Sequence, residues 1–158
     1  MAPVTPYSPE LEDREPLNAM RGTVARVGAL VSGWTPLQWE RRYAPGKWSA
    51  RQVLIHLAQT EIALGSRARL ALTLPGYTSQ SFEQDAWMTR EAGLSGPDAA
   101  DAFITLGRMN TAFFAGLSAA DRQTPFTHPE YGALTVDWLI YQMAGHQIHH
   151  LKQLEAIS

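Results

Sequence analysis

Apolar side chains recur at steps of three and four along most of this chain, and that spacing predicts helices. A first helix fits residues 14–32, where Leu17, Met20, Val24, Val27 and Val31 form one stripe. Pro16 is tolerable there because it falls in the first turn, and Gly33 marks the exit. Residues 34–48, with Pro36, Pro45 and Gly46, form a connector. Ser49 followed three residues later by Gln52 is a capping-box pattern that opens a second helix. Val53, Leu57, Leu64, Ala68 and Ala71 carry that helix to residue 73, where Leu74-Pro75-Gly76 stops it. A third helix begins near Pro97 and shows Phe103, Leu106, Asn110, Phe113 and Leu117 on one face. Thr135 caps a fourth, which runs close to the end of the sequence.

Between these stripes the pattern weakens. Residues 1–13 are rich in proline and polar side chains and read as a loose lead-in. In 77–96, Phe82, Trp87 and Met88 predict a short helix or lid folded over the bundle. Residues 118–134 hold Pro125, Pro129 and Gly132 and read as a long connection. No stretch alternates like a strand, and no internal repeat is present. The expectation is one all-α domain over 1–158, a four-helix bundle whose long connections allow something other than simple up-and-down topology.

At 158 residues, one domain with a substantial core is the natural reading. The net charge of -2 speaks against a nucleic-acid partner, since the densest basic spots are only Arg41-Arg42 and Arg67/Arg69. The N-terminus lacks the basic start and apolar stretch of a signal peptide, and no apolar run is long enough for a bilayer. A cytoplasmic protein without a membrane partner is expected. Cysteine is absent, so the chain supplies neither a disulfide nor a thiol nucleophile.

The chemistry concentrates in histidine. The fourth helix carries His146, His149 and His150, and a solvated basic helix end would explain such a cluster blandly. The helical wheel argues otherwise. At about 100° per residue, His146 and His150 lie about 40° apart, in the arc of Leu139, Met143, Leu154 and Ile157. His149 falls about 60° the other way, towards solvent. On the second helix, His56 sits at the border of its apolar stripe. A lone border histidine is usually structural. Three imidazoles at the edges of core-facing stripes on two helices can instead converge on one metal, which is how bundles build such sites. His56, His146 and His150 are therefore the expected ligands. His128, in Thr-His-Pro-Glu, reads as a surface loop residue, with a place in the lining of the site as the alternative. Trp34, Trp39, Trp48, Trp87 and Trp138 read mostly as core or stripe-edge anchors.

Two segments resemble the signatures of the DinB/YfiT-like superfamily. One is Pro45-Gly46-Lys47-Trp48-Ser49 with Arg51, Val53, Leu54, His56 and Leu57; the other is His146-Gln147-Ile148-His149-His150-Leu151-Lys152-Gln153-Leu154. The resemblance implies a four-helix bundle, commonly a homodimer, with metal held by His56, His146 and His150. It also implies a functional range that includes transferases using bacillithiol, mycothiol or related thiols in detoxification or stress response. A mycothiol-dependent isomerase branch carries a carboxylate in place of one fourth-helix histidine. Histidine stands there in this chain, which implies a different branch. Residues 75–134, where a substrate pocket would be specified, match no particular substrate.

Three neutral imidazoles suit one divalent transition metal, zinc or nickel first, better than magnesium or calcium. Three protein ligands leave room for water or substrate, as in catalytic rather than structural zinc sites. His149 and Gln153 are the candidates to receive the other ring N–H of a ligating histidine, with solvent exposure as the alternative reading for both. The expected function is a metal-dependent S-transferase acting on a small molecule, with a bacillithiol-like thiol as cosubstrate. A metal-dependent hydrolase and a non-catalytic metal-binding protein are the alternatives. No residue is assigned as general base.

Overall fold

The computed structural model describes residues 1–157. In chain order its elements are α1 (Ser8–Leu11), α2 (Pro16–Val31), α3 (Pro36–Glu40), α4 (Ala50–Thr73), α5 (Gln84–Glu91), α6 (Gly96–Ala115), α7 (Ala119–Arg122), β1 (Pro125–His128), β2 (Gly132–Thr135) and α8 (Val136–Glu155). The long helices start where side chains can satisfy their first N–H groups. Glu15 accepts from the amides of Leu17 and Asn18 ahead of Pro16. Ser49 and Gln52 make both bonds of the capping box on α4. The Thr135 hydroxyl accepts from the Trp138 amide on α8.

The bundle is built from α2, α4, α6 and α8. Both α2 and α4 pack against α6 and α8, so α2 and α4 stand across the diagonal. Helices consecutive in sequence are therefore not always neighbours, and the long connections make those crossings. One apolar cluster gathers Met20, Leu64, Phe114, Leu139 and Met143; the other gathers Val27, Leu54, Leu57, Phe103 and Leu154.

A buried polar layer lies between the two clusters. Asn110 Nδ2 donates to the Glu61 carbonyl at 2.9 Å and to Glu61 Oε2 at 2.8 Å. Gln147 Nε2 donates to Glu61 Oε1, and Arg69 donates to Asn110 Oδ1 at 2.8 Å. Gly65 makes room for the Asn110 amide, since a Cβ there would lie 2.6 Å from Asn110 Oδ1. Burial pushes the Glu61 carboxyl up to about 7, against the pull of its bonds to Asn110 and Gln147.

Three expectations need correction. The connection 118–134 contains strand structure: β1 and β2 form an antiparallel hairpin, Phe126 opposite Leu134 and His128 opposite Gly132. Four residues per strand are too few for alternation to stand out, yet Phe126 and His128 do face inward. His128 is consequently buried, not a surface loop residue. Finally, residues 1–13 are not a loose lead-in. Leu11 is buried in the core, α1 packs on α8, and the Trp138 indole N–H donates to the Val4 carbonyl at 3.0 Å. The short helix expected in 77–96 is α5, with Met88 buried. Among the described residues, no helix is long and apolar enough to cross a membrane.

Candidate metal centre

His56 lies in the second turn of α4, and His146 and His150 lie one turn apart on the facing side of α8. Because these helices are neighbours, the three rings meet. His146 Nε2 is 2.9 Å from His56 Nε2 and 3.0 Å from His150 Nε2. All three side chains are buried. Burial is the main reason their basicity falls, with repulsion from neighbouring histidines, His149 included, adding to it. His56 drops to about 3, His150 to about 4 although its bond to Gln153 pulls upward, and His146 well below its ordinary value. At neutral pH each ring is uncharged and carries one lone pair.

That lone pair can be located for His150. Its Nδ1–H donates to Gln153 Oε1 at 2.7 Å, which leaves Nε2 unprotonated and facing the other rings. His146 Nε2 has two ring-nitrogen neighbours, and His150 Nε2 is a bare lone pair. If His146 donates to His150, its single N–H cannot also align on His56; if it accepts from His56, two lone pairs face each other at His150. Protons alone leave one of these contacts unmet. A cation shared by three Nε2 lone pairs meets both, so the donor set fits a divalent transition metal. Buried Nδ1 atoms of His56 and His146 have no hydrogen-bond partner, and neither do the carbonyls of Gln59 and Gln142. Each of these glutamines lies about one helical turn from the corresponding histidine, as Gln153 does from His150.

His149 does not join the three. It is half-exposed; its Nδ1–H donates to Glu10 Oε1 at 3.2 Å, and its Nε2 accepts from Gln153 Nε2 at 3.2 Å. Glu10 also pairs with Lys152 at 2.6 Å. A relay thus runs from the Glu10 carboxylate through His149 and Gln153 to His150. Gln153 touches the cluster, whereas His149 reaches it only through Gln153.

Aromatic side chains enclose the rings. Trp48 sits 4.9 Å from His56 between ring centroids, Phe82 stacks on His56 at 6.1 Å, and Tyr7 meets His146 edge-on at 5.1 Å. Trp87 packs edge-on against Phe82, which ties α5 to this wall. Burial, then the nearby Tyr131 and Glu10, raise the Tyr7 hydroxyl above its ordinary value, so it remains protonated. Beside His146 opens a cleft of about 170 Å³, also lined by Tyr7, Thr60, Arg67, His128 and Trp138.

Sequence reasoning missed several of these groups. Arg67 follows His56 by 11 positions, which returns to within about 20° of the same helix face. That spacing is a usable signal. Tyr7 offered none and His128 only its residue type, because their places depend on the N-terminal segment and the hairpin folding onto α8.

The fold and the cluster define a class, a helical bundle carrying a three-imidazole centre between two of its helices. The chain belongs to the DinB superfamily, whose family model matches residues 19–154. It is 23% identical over 131 residues to a protein of Oceanobacillus iheyensis named, provisionally, a metal-dependent hydrolase, covering 82% of this chain and 76% of that one. A Bacillus licheniformis protein with the same provisional name is 27% identical over 129 residues, 75% of this chain and 69% of that one. Among solved structures, Bacillus subtilis YfiT, a four-helix bundle of unusual topology, superposes with a TM-score of 0.81 at 21% identity, covering 90% of this chain and 83% of YfiT. The mycothiol-dependent maleylpyruvate isomerase superposes with a TM-score of 0.74 at 13% identity. That match covers 96% of this chain and 63% of the isomerase. At these identities the structural likeness carries the fold.

Proposed function

We propose that His56, His146 and His150 hold one divalent transition metal, zinc or nickel, and that the chain is a metal-dependent enzyme. Its reaction, on this reading, transfers a low-molecular-weight thiol of the bacillithiol type to a small electrophilic molecule. The observation that carries the proposal is the convergence of three neutral, buried imidazole nitrogens beside a cleft. When bound, the ion supplies Lewis acidity that favours the ionised form of a thiol or water reaching it.

The remaining roles belong to the chain. Gln153 holds His150 in the tautomer that presents Nε2. Trp48, Phe82 and Tyr7 exclude bulk water from the rings, which keeps them uncharged. With no cysteine in the sequence, the sulfur nucleophile must arrive with the cosubstrate. The mycothiol-dependent neighbour supports a thiol, and the names of the curated relatives favour a second reading, hydrolysis by activated water.

Metal analysis joined to product analysis tests the proposal. Purified protein takes up about one equivalent of zinc or nickel per three-ligand site, and His56→Ala loses it. Metal-loaded protein conjugates a chlorinated aromatic or an epoxide with bacillithiol, stops on chelation and recovers with metal. Turnover that ignores added thiol and yields hydrolysed product moves the assignment to the hydrolase. Full metal occupancy in a His56→Ala/His150→Ala variant overturns the centre itself.

A further inference from the structure

Arg67 and His128 present an arrangement that the three-imidazole centre does not use. Both are buried, at 8% and 7% exposure, although one is an arginine and the other sits in a hairpin. Arg67 Nη2 donates to the Gln80 carbonyl at 2.6 Å, and its Nη1 lies 3.5 Å from His128 Nε2. His128 Nδ1 accepts from the backbone amides of Glu130 and Tyr131, at 3.1 and 3.3 Å. An imidazole nitrogen that accepts two N–H groups carries no proton, so the ring proton is on Nε2. Arg67 Nη1 and His128 Nε2 are therefore both donors, side by side. Two donors do not satisfy each other, and Arg67 forms no ion pair among the described residues. Glu130, on the turn beside them, is exposed and also lines the cleft, where it acts on both groups through space without forming an ion pair with Arg67.

The surroundings hold this pair in place. The amide of Ser79 donates to the Thr127 carbonyl at 2.9 Å and the amide of Thr127 to the Tyr77 carbonyl at 3.0 Å, which ties the segment carrying Gln80 to β1. Arg67 and His128 line the cleft that His146 also lines. Along α4, the 11 residues from His56 to Arg67 correspond to about 16 Å on one face.

We propose that the Arg67 guanidinium and the His128 Nε2–H form an anion subsite that receives a carboxylate or phosphate group of an elongated substrate, whose reacting end lies at the three imidazoles. The subsite itself stands on its own donors; only the placement of the reacting end rests on the function proposed above. A planar guanidinium beside a second N–H offers two parallel bonds to two oxygens of one anion. Occupation by an anion would supply the acceptor that both donors lack, in a place where an unpaired donor is costly. The aromatic side chains of Trp138 and Tyr131 flank the cleft and suit an apolar body attached to that anion.

Calorimetric titration with phenyl phosphate and 3-phenylpropanoate tests this, with neutral 3-phenylpropanamide as the control. At least one anion binds the wild-type protein, the amide does not, and the stronger of the two anions identifies the group. Affinity falls about tenfold or more in Arg67→Met and in His128→Phe, the loss expected for a charge-assisted bond. His56→Ala, which dismantles the imidazole centre, retains the binding. Binding that survives Arg67→Met but is lost in His56→Ala puts the anion on the imidazoles and overturns the subsite. If the variants fold poorly, the His128 Nε2–H proton resonance of the wild type decides. A shift on titration supports the proposal, and no shift at saturating anion overturns it. Metal uptake is measured on the same samples, so a failed metal centre and a failed anion subsite give different results.

Discussion

The Nδ1–H of His150 donates to Gln153 Oε1 at 2.7 Å, one turn further along α8. That bond decides which nitrogen of His150 faces the other two imidazoles. It makes Gln153 the side chain that sets the tautomer at the centre. Gln153→Ala is expected to lower zinc affinity about 10- to 100-fold without loss of helical content. Gln153→Glu, which keeps the acceptor, retains most of it. Competition against a chromophoric chelator, with circular dichroism as the control, measures both. Equal affinity in Gln153→Ala and wild type would show that the bond does not organise the centre.

His149 acts one bond further out, through Gln153. His149→Ala therefore keeps the metal and His146→Ala loses it. Metal content after dialysis, read by mass spectrometry, separates the two. Equal loss would mean that the relay from Glu10 is as necessary as a ligand.

Acid should destabilise the metal-free protein. The folded-state basicities of His56, His146 and His150 lie below the unfolded value of 6.5, so below that pH the unfolded chain binds more protons at these sites. Their contribution is present above the unfolded value and is lost as pH falls. Glu61 opposes them, because its folded value of about 7 exceeds the unfolded 4.5 and protonation favours the fold between the two. Three histidines outweigh one carboxyl. Near pH 5.5 the net slope is roughly 2 kcal/mol per pH unit, stability falling with acid. Urea unfolding of chelator-treated protein between pH 5 and 7 measures it, and Glu61→Gln, which removes the opposing group, should steepen it. A flat profile would contradict the buried, uncharged state of the rings.

Gly145 lets the N-terminal segment reach α8. A Cβ at that position would meet the Tyr7 carbonyl oxygen at 2.5 Å and Tyr7 Cβ at 2.7 Å. Gly145→Ala should cost about 1–3 kcal/mol by overpacking and lift Tyr7 from His146. Thermal melting reads the first effect, and faster proteolysis near residues 1–12 reads the second. Unchanged protection of that segment would show that it docks independently of Gly145.

Much of the bundle was legible because it is written in local periodicity. The stripe through Leu17, Val24 and Val31, the Ser49/Gln52 box and the Thr135 cap specify helices by spacing and backbone chemistry, which act over a few residues. His146 and His150 share a face because both lie on one helix, and the wheel finds that without a fold. The hairpin escaped because Pro125-Phe126-Thr127-His128 is a strand through its pairing with 132–135, not through its own propensity.

The sequence by itself determined the helices, which faces they bury, and the polar side chains carried on those faces. Tertiary structure decided which faces meet. It set α4 against α8, so that His56 reaches His146 across 90 residues, and α2 across the diagonal from α4. It also folded the hairpin and the N-terminal segment onto α8, burying His128 and bringing Tyr7 to His146. The physical reason is range: helix periodicity and capping are fixed by neighbours three or four positions away. The shared nitrogen contacts of the centre, the Glu61 layer and the Arg67/His128 pair depend on packing between segments that no local pattern relates.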